Sequence, residues 1–254
     1  MAFLKTKHDI AQMCITGKKL NTVFSQIHFS DLIGVSTLAL DDKIKDMLDK
    51  EGLRSCAKGY KGYPRYTCIS INDVLVHGVP QHDVLIKSDD LIKIDICVSY
   101  NGYCADACRS YMNADPSDIC QKMVQCGKQA LYEGISNVVY GNTIGTVALA
   151  IEEVITRCGY SVVKEFAGHG IGKKMHEDPI VPNYFDKDDI STMKQKIYVG
   201  MALAIEPMFC QFDNDLVIDK RDEWTVRTRD GGIAMHIEDT VVLTDNGVVI
   251  TTQL

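Results

Sequence analysis

Asn101-Gly102 is the feature that most constrains what this chain can fold into. Both central positions of a tight hairpin turn need positive φ, and this dipeptide supplies them. It sits within residues 91–112, LIKIDICVSYNGYCADACRSYM, between two runs rich in Ile, Val, Tyr and Cys. A two-residue turn pairs Tyr100 with Tyr103, then Cys97 with Asp106 and Asp95 with Cys108. Side chains alternate faces along a strand, so Asp95, Cys97 and Asp106 share one face and the two aspartates are diagonal neighbours. In strands this apolar, two carboxylates lose hydration and repel each other unless something positive lies between them. Hard divalent cations do this well, and a carboxylate pair can bridge two ions. The hairpin by itself also allows a face open to water that carries two solvated acids.

At 254 residues the chain can bury a real core. Its hydrophobic share of 46% and charged share of 24% are ordinary for a globular enzyme. A net charge of −7 argues against a general nucleic-acid binder. The opening residues, MAFLKTKHDIAQM, hold no apolar run long enough for a signal peptide, and no other run spans a bilayer. A cytoplasmic chain with no membrane partner is expected. The ten cysteines form no CxxC pair and are read mostly as small buried apolar residues.

Helical stripes are expected over residues 7–29, where Gly17 weakens the middle, and over residues 37–51, with Gly52 as the stop. Asp115-Pro116 is expected to open a third helix, and residues 143–158 form a fourth, ended by Gly159. Residues 59–64 read as a loop with two tyrosines. Strands are expected at residues 68–77, 91–112, 161–165, 202–209 and 233–243, with a last hairpin turning at Asp245-Asn246-Gly247. Two helices with strands, twice over, suggest two similar α+β halves, residues 1–114 and 115–254, within a single domain of residues 1–254.

Four further groups join the Asp pair. His77 ends a strand; alone, such a histidine is usually structural. The stretch AGHGIGKKMH reads as a tight glycine loop from which His169 and His176 project, with an ordinary surface turn as the plain alternative. Glu206 closes the apolar run ALAIEPM just before a proline. Alternation over residues 233–243 puts Ala234, His236, Glu238 and Thr240 on one face, either solvent-facing or site-facing. Together these give two aspartates, one histidine and two glutamates, an oxygen-rich set suited to a pair of first-row divalent ions.

On these motifs the chain resembles the type I methionine aminopeptidases in their short, bacterial-like form. The matching pieces are GYPRYTCISINDVLVHG, IKIDICVSYNGYCADACR, AGHGIGKKMHEDP, GMALAIEPM and DEWTVRTRDGGIAMHIEDTVVLTDNG, and they cover nearly the whole chain. The resemblance implies the α+β "pita-bread" fold: two pseudo-symmetric halves with helices packed on a curved antiparallel sheet. It implies two divalent ions, of Co, Mn, Fe, Ni or Zn, held by Asp95, Asp106, His169, Glu206 and Glu238. Asp106 and Glu238 would bridge both ions, Asp95 would chelate one, and His169 and Glu206 would complete the other site. It implies Glu206, His77 and His176 as catalytic residues, with Tyr60, Tyr63, Cys68, Met175 and Trp224 around a methionine pocket. The implied substrate is the N-terminal Met of nascent chains with a small second residue, and the implied state is a monomer. The chain's own Met1-Ala2 would fit that specificity. Ala107, Met175 and the Ala204-Ile205 pair depart from the usual family pattern without removing a ligand. Lys220, Arg221, Arg227 and Arg229 form a basic cluster beside Trp224, read as a solvated face or as a dock for the ribosome near the nascent chain. The rival readings are another di-metal exopeptidase of this fold, or an inactive binding module that has kept it.

Overall fold

The computed structural model describes residues 4–253; Met1-Ala2 lies outside them. Helix α1 (Lys7–Phe24) starts at Thr6, whose hydroxyl accepts from the Asp9 amide while the Asp9 carboxylate accepts from the Thr6 amide. It stops five residues short of the expected end, because Gln26 and Ile27 turn back onto the carbonyls of Val23 and Phe24. Gly17 has a packing role. A Cβ there would meet the Thr251 carbonyl oxygen at 1.9 Å, so only glycine lets the end of the chain lie against the helix. Helix α2 (Thr37–Glu51) is capped by Ser36 and ends on a left-handed Gly52, as the sequence suggests.

Strand β1 (Arg54–Ser55) is short. The expected strand at residues 68–77 is two strands, β2 (Cys68–Ile71) and β3 (Val74–Val76), split by a turn in which Asn72 takes φ +49°. The central hairpin is β4 (Ile92–Tyr100) and β5 (Tyr103–Tyr111), in the register expected: Tyr100 opposite Tyr103, Cys97 opposite Asp106, Asp95 opposite Cys108. Asn101 and Gly102 take φ +50° and +80°, which the turn requires. Helix α3 (Asp118–Ser136) begins later than Asp115-Pro116, because the Asn113 side chain holds Asp115 in a turn and Ser117 supplies the cap. Helix α4 (Ile144–Arg157) is capped by Thr143.

The second half then lays down β6 (Ser161–Val162), β7 (Ala167–Gly170), β8 (Glu177–Pro182) and a short α5 (Ile190–Met193). The glycine stretch expected as a loop is strand β7 at its start. A Cβ on Gly168 or Gly170 would meet a backbone oxygen at 2.4 or 2.1 Å, so its glycines serve close backbone approach. The runs at 202–209 and 233–243 are both broken. Glu206-Pro207 separates β9 (Ala202–Ile205) from β10 (Met208–Cys210). After β11 (Leu216–Ile218) and β12 (Val226–Thr228), Ile237 separates β13 (Ala234–His236) from β14 (Glu238–Thr244), which turns into β15 (Gly247–Ile250).

A nine-stranded antiparallel sheet runs β1-β4-β5-β14-β9-β7-β8, with β2 added to β4 and β15 to β14. Its two halves meet where β5 pairs with β14. Ile92, Ile94, Ile96, Val98, Ala105 and Ala107 pack in one core with α1 and α2, while Leu203, Ile205 and Val241 pack in another with α3 and α4. The helices therefore cover one face of the sheet. Asp95, Cys97 and Asp106, the alternate residues, point to the other.

Candidate metal centre

That other face forms a cleft of about 450 Å³. The hairpin contributes Asp95 and Asp106, and β7 contributes His169, paired in register with Ala204. The two strand breaks contribute Glu206 and Glu238. Nitrogen and oxygen donor atoms of Asp106, His169 and Glu238 all lie within 4.8 Å of one another. His169 Nε2 stands 3.5 Å from Glu206 Oε1. The solvated-face readings of the hairpin and of Glu238 do not hold: Asp106 is 6% exposed and Glu238 2%.

The electrostatics of these groups share one cause. Burial pushes the Asp106 carboxyl up to about 7 and that of Glu206 up to about 8. Burial, then the charge of Asp106, holds Asp95 and Glu238 well above the usual carboxylate range. Burial also drives the imidazoles of His77, His169 and His236 down to about 4. Asp106 Oδ1, Glu238 Oε1 and His236 Nε2 are buried with no hydrogen-bond partner. Orphaned oxygens of this kind are costly unless a cation takes their lone pairs, so the donor set fits hard divalent ions. His169 is prepared for this: its Nδ1 lies 2.9 Å from the Gly170 carbonyl oxygen, which can only accept, so the proton is on Nδ1 and Nε2 is free to ligate.

The cleft also takes in the remaining expected residues. His176 stands against His169, ring centroids 4.3 Å apart, with Nδ1 2.9 Å from the Tyr60 hydroxyl. His77 takes φ +56° directly after β3, a strained conformation, and its ring lies edge-on to Trp224 and Phe166. Tyr63 packs edge-on to Trp224 at 5.2 Å and donates its hydroxyl to the Thr67 and Gly78 carbonyls. Cys68 and Met175 complete the wall.

Sequence reasoning missed His236. It is 3% exposed, with Nε2 3.3 Å from Glu206 Oε2 and 3.9 Å from Glu238 Oε2. The signal was present, because alternation set His236 on the face of Glu238. Thr240, on that same face, was missed too: its hydroxyl accepts from the Asp106 amide and donates to the Asp106 carbonyl. Lys93 is a third, 1% exposed, its Nζ donating to the carbonyls of Asn72 and Ala234 at 2.8 Å each. It ties down the strand that ends in His236. Ala107 faces the helices, so its departure from the family pattern opens no gap beside Asp106 on the opposite face.

Metallopeptidase family M24 matches residues 11–245, and the chain belongs to that family. Within it, the chain is 35% identical to the methionine aminopeptidase of Clostridium acetobutylicum over 252 residues, 99% of each chain. Its fold superposes on the methionine aminopeptidases of Rickettsia prowazekii and Thermotoga maritima with a TM-score of 0.93 in each case, at 30% identity and over 100% of both chains. The pita-bread architecture expected from the sequence is therefore the fold observed.

Proposed function

We propose that this member of family M24 is a methionine aminopeptidase that removes the N-terminal Met of polypeptides, preferring a small second residue. The observation that carries the reading is the convergence of orphaned carboxylate and imidazole donors beside a sulfur- and aromatic-lined pocket in one cleft. Asp95, Asp106, His169, Glu206 and Glu238 would hold two divalent ions. Such ions, when bound, supply Lewis acidity and make water nucleophilic near neutral pH.

The chain's own groups do the rest. Glu206 accepts the proton of the attacking water and passes it to the leaving amine. His176, oriented by Tyr60, donates to the developing oxyanion. His77, pinned between Phe166 and Trp224, holds the scissile amide nitrogen. Trp224, Tyr63, Met175 and Cys68 surround the thioether with polarisable surface. The substrates under this reading are nascent chains in the cytoplasm, and the enzyme acts as a monomer. Among the described residues no helix is long and apolar enough to cross a membrane. Three residues of the basic cluster are already paired: Arg221 with Asp219 at 2.6 Å, Arg227 with Asp73 at 3.1 Å and Arg229 with Asp215 at 2.6 Å. That favours a solvated face over a ribosome dock. Charge reversal of all four residues should leave ribosome co-sedimentation unchanged.

The deciding experiment is release of free methionine from Met-Ala-Ser, with each of Mn, Fe, Co, Ni and Zn added to metal-free protein. Glu206→Ala should lower the rate by about 10²–10⁴-fold while the circular dichroism spectrum is kept. A variant that retains the wild-type rate overturns the role of Glu206, and wild-type protein silent with every metal overturns the function.

A further inference from the structure

The wall of the cleft that carries Tyr63 is tied to helix α2 by an acid that the proposed chemistry does not use. Asp41 lies near the start of α2 and is 0% exposed. Its Oδ1 accepts from the Thr67 amide at 2.9 Å and from the Thr67 hydroxyl at 2.8 Å, and its Oδ2 accepts from the Tyr66 amide at 3.4 Å. Thr67 is buried as well. Its neighbours on the helix, Leu40 and Ile44, pack in the apolar core. Hydrogen bonds to a carboxylate are strong and directional, so this side chain fixes where residues 66 and 67 lie rather than merely filling space.

Thr67 leads straight into the pocket. The next residue, Cys68, opens β2 opposite Asp95 and lines the cleft. The Thr67 carbonyl accepts from the Tyr63 hydroxyl at 3.0 Å, and that hydroxyl also lies 3.2 Å from the carbonyl oxygen of Gly78, the residue after His77. Tyr63 in turn sets its ring edge-on to Trp224. The loop before Tyr63 closes mostly on itself: the amide of Tyr60 donates to Ala57, that of Gly62 to Gly59, that of Gly59 to Tyr63 and that of Tyr63 to Tyr60. A loop of this kind keeps its own shape but takes its position from its ends. The Ser55 hydroxyl, on β1, steadies it through the Tyr66 carbonyl at 2.6 Å, and Asp41 holds the amides of Tyr66 and Thr67.

We propose that Asp41 is a positioning residue for the methionine pocket, a role that deepens the function proposed above and rests on it. Asp41 sets Thr67, Thr67 sets Tyr63 against Trp224, and this spacing determines how strictly the pocket tells methionine from other apolar side chains. An apolar pocket discriminates by about 10–200-fold per methylene, and a wall that shifts gives up that margin. Loosening Tyr63 therefore weakens the fit of methionine and admits branched leucine. The metal centre is spared, because Asp41 spends its hydrogen bonds on Tyr66 and Thr67 and not on the expected ligands.

The test uses the Mn-loaded full chain and measures kcat and KM for Met-Ala-Ser and Leu-Ala-Ser, together with the emission of Trp224, the chain's single tryptophan. Asp41→Asn should raise KM for Met-Ala-Ser by about five-fold or more with kcat kept within about two-fold, and should narrow the kcat/KM preference for methionine over leucine by about ten-fold. Thr67→Val removes the hydroxyl at nearly constant shape. It should move the same quantities in the same direction, and it serves should Asp41→Asn fail to fold. Thr67→Ser, which keeps the hydroxyl, should return them to wild-type values. Trp224 emission should shift to the red in Asp41→Asn and Thr67→Val, because Tyr63 no longer shields the indole. Asp42→Asn, at the exposed next position of α2, should change nothing. An unchanged methionine-to-leucine preference in both Asp41→Asn and Thr67→Val overturns the role, as does an equal loss of preference in Asp42→Asn. A wild type that releases no methionine with any metal overturns the proposed function, and Trp224 alone then decides the tether: a red shift in both variants sustains it, and an unchanged spectrum overturns it.

Discussion

The two halves of the sheet deliver their acidic residues in opposite ways. In the first half, Asp95 and Asp106 sit on β4 and β5, unbroken nine-residue strands closed by a two-residue turn. In the second half, Glu206 lies at the break between β9 and β10, Glu238 follows the break at Ile237, and His169 sits at a register shift between β7 and β8. A regular hairpin can present two carboxylates on one face through alternation alone. Three groups from three separate strands can be aimed at those carboxylates only where the strands bend, and bulges and breaks re-aim side chains.

The largest effects should come from the hairpin acids. Asp106→Ala removes the expected bridging oxygens and should lower methionine release by at least ~10³-fold and abolish divalent-ion binding in calorimetry. A variant that binds metal as the wild type does would separate the hairpin from the centre. Lys93→Met should come next. Two carbonyls lose their donor, one of them adjoining the His236 strand. An activity loss of about 10–100-fold is expected, mainly in kcat, together with a stability loss of about 1–3 kcal/mol. Lys93→Arg that restores stability and leaves kcat low would confirm a positioning role; a loss in stability alone would make it structural.

A third effect tests the electrostatics through pH. Without metal, Asp106 and Glu206 keep their protons in the folded chain up to about 7 and 8, while the unfolded chain releases them near 3.8 and 4.5. The folded state binds more protons across that window, so these acids lower stability as pH rises. The three histidines held near 4 have the opposite sign, raising stability up to the unfolded value of 6.5 and adding nothing above it. Metal-free protein should therefore melt at lower temperature at pH 8 than at pH 6.5, and saturating Mn²⁺ should remove most of the difference. An unchanged melting temperature would show that the acids are already ionised without metal. The smallest effect is at the turn. Asn101→Ala forces a Cβ residue without a local hydrogen-bonding group into φ +50° and should cost about 1 kcal/mol in urea unfolding, with kcat/KM unchanged.

The same contrast explains what could be read in the sequence. The register of β4 and β5 followed from Asn101-Gly102, because turn chemistry and alternation are local. The breaks were not local. Asn72 and Ile237 interrupt runs that read as single strands, since each run changes its pairing partner partway: β2 joins β4 while β3 joins β12, and β13 joins β10 while β14 joins β5 and β9. Strands β8, β11 and β12 were not expected at all, because β11 and β12 are only three residues long and β8 carries two prolines and two acids. His236 lay on the expected face, but a histidine between Met and Ile gives no sign that a glutamate thirty residues earlier lies against it. The five residues expected as ligands all line one cleft; they could be named together beforehand because motif resemblance carries the long-range information that periodicity lacks.

The contact between Gly17 and Thr251 bears on how this chain could be divided. Arg109, on the hairpin, donates to the Thr252 carbonyl and pairs with Asp239 at 2.6 Å, and the Thr252 hydroxyl donates to Asp239. Residues from the tail thus act as a clasp over the seam between the halves. A fragment cut near Asp115 would lose the lid on its first helix and the counterion of Arg109 together, so the pseudo-halves should assemble only as a pair of complementing pieces, neither being a module that folds by itself.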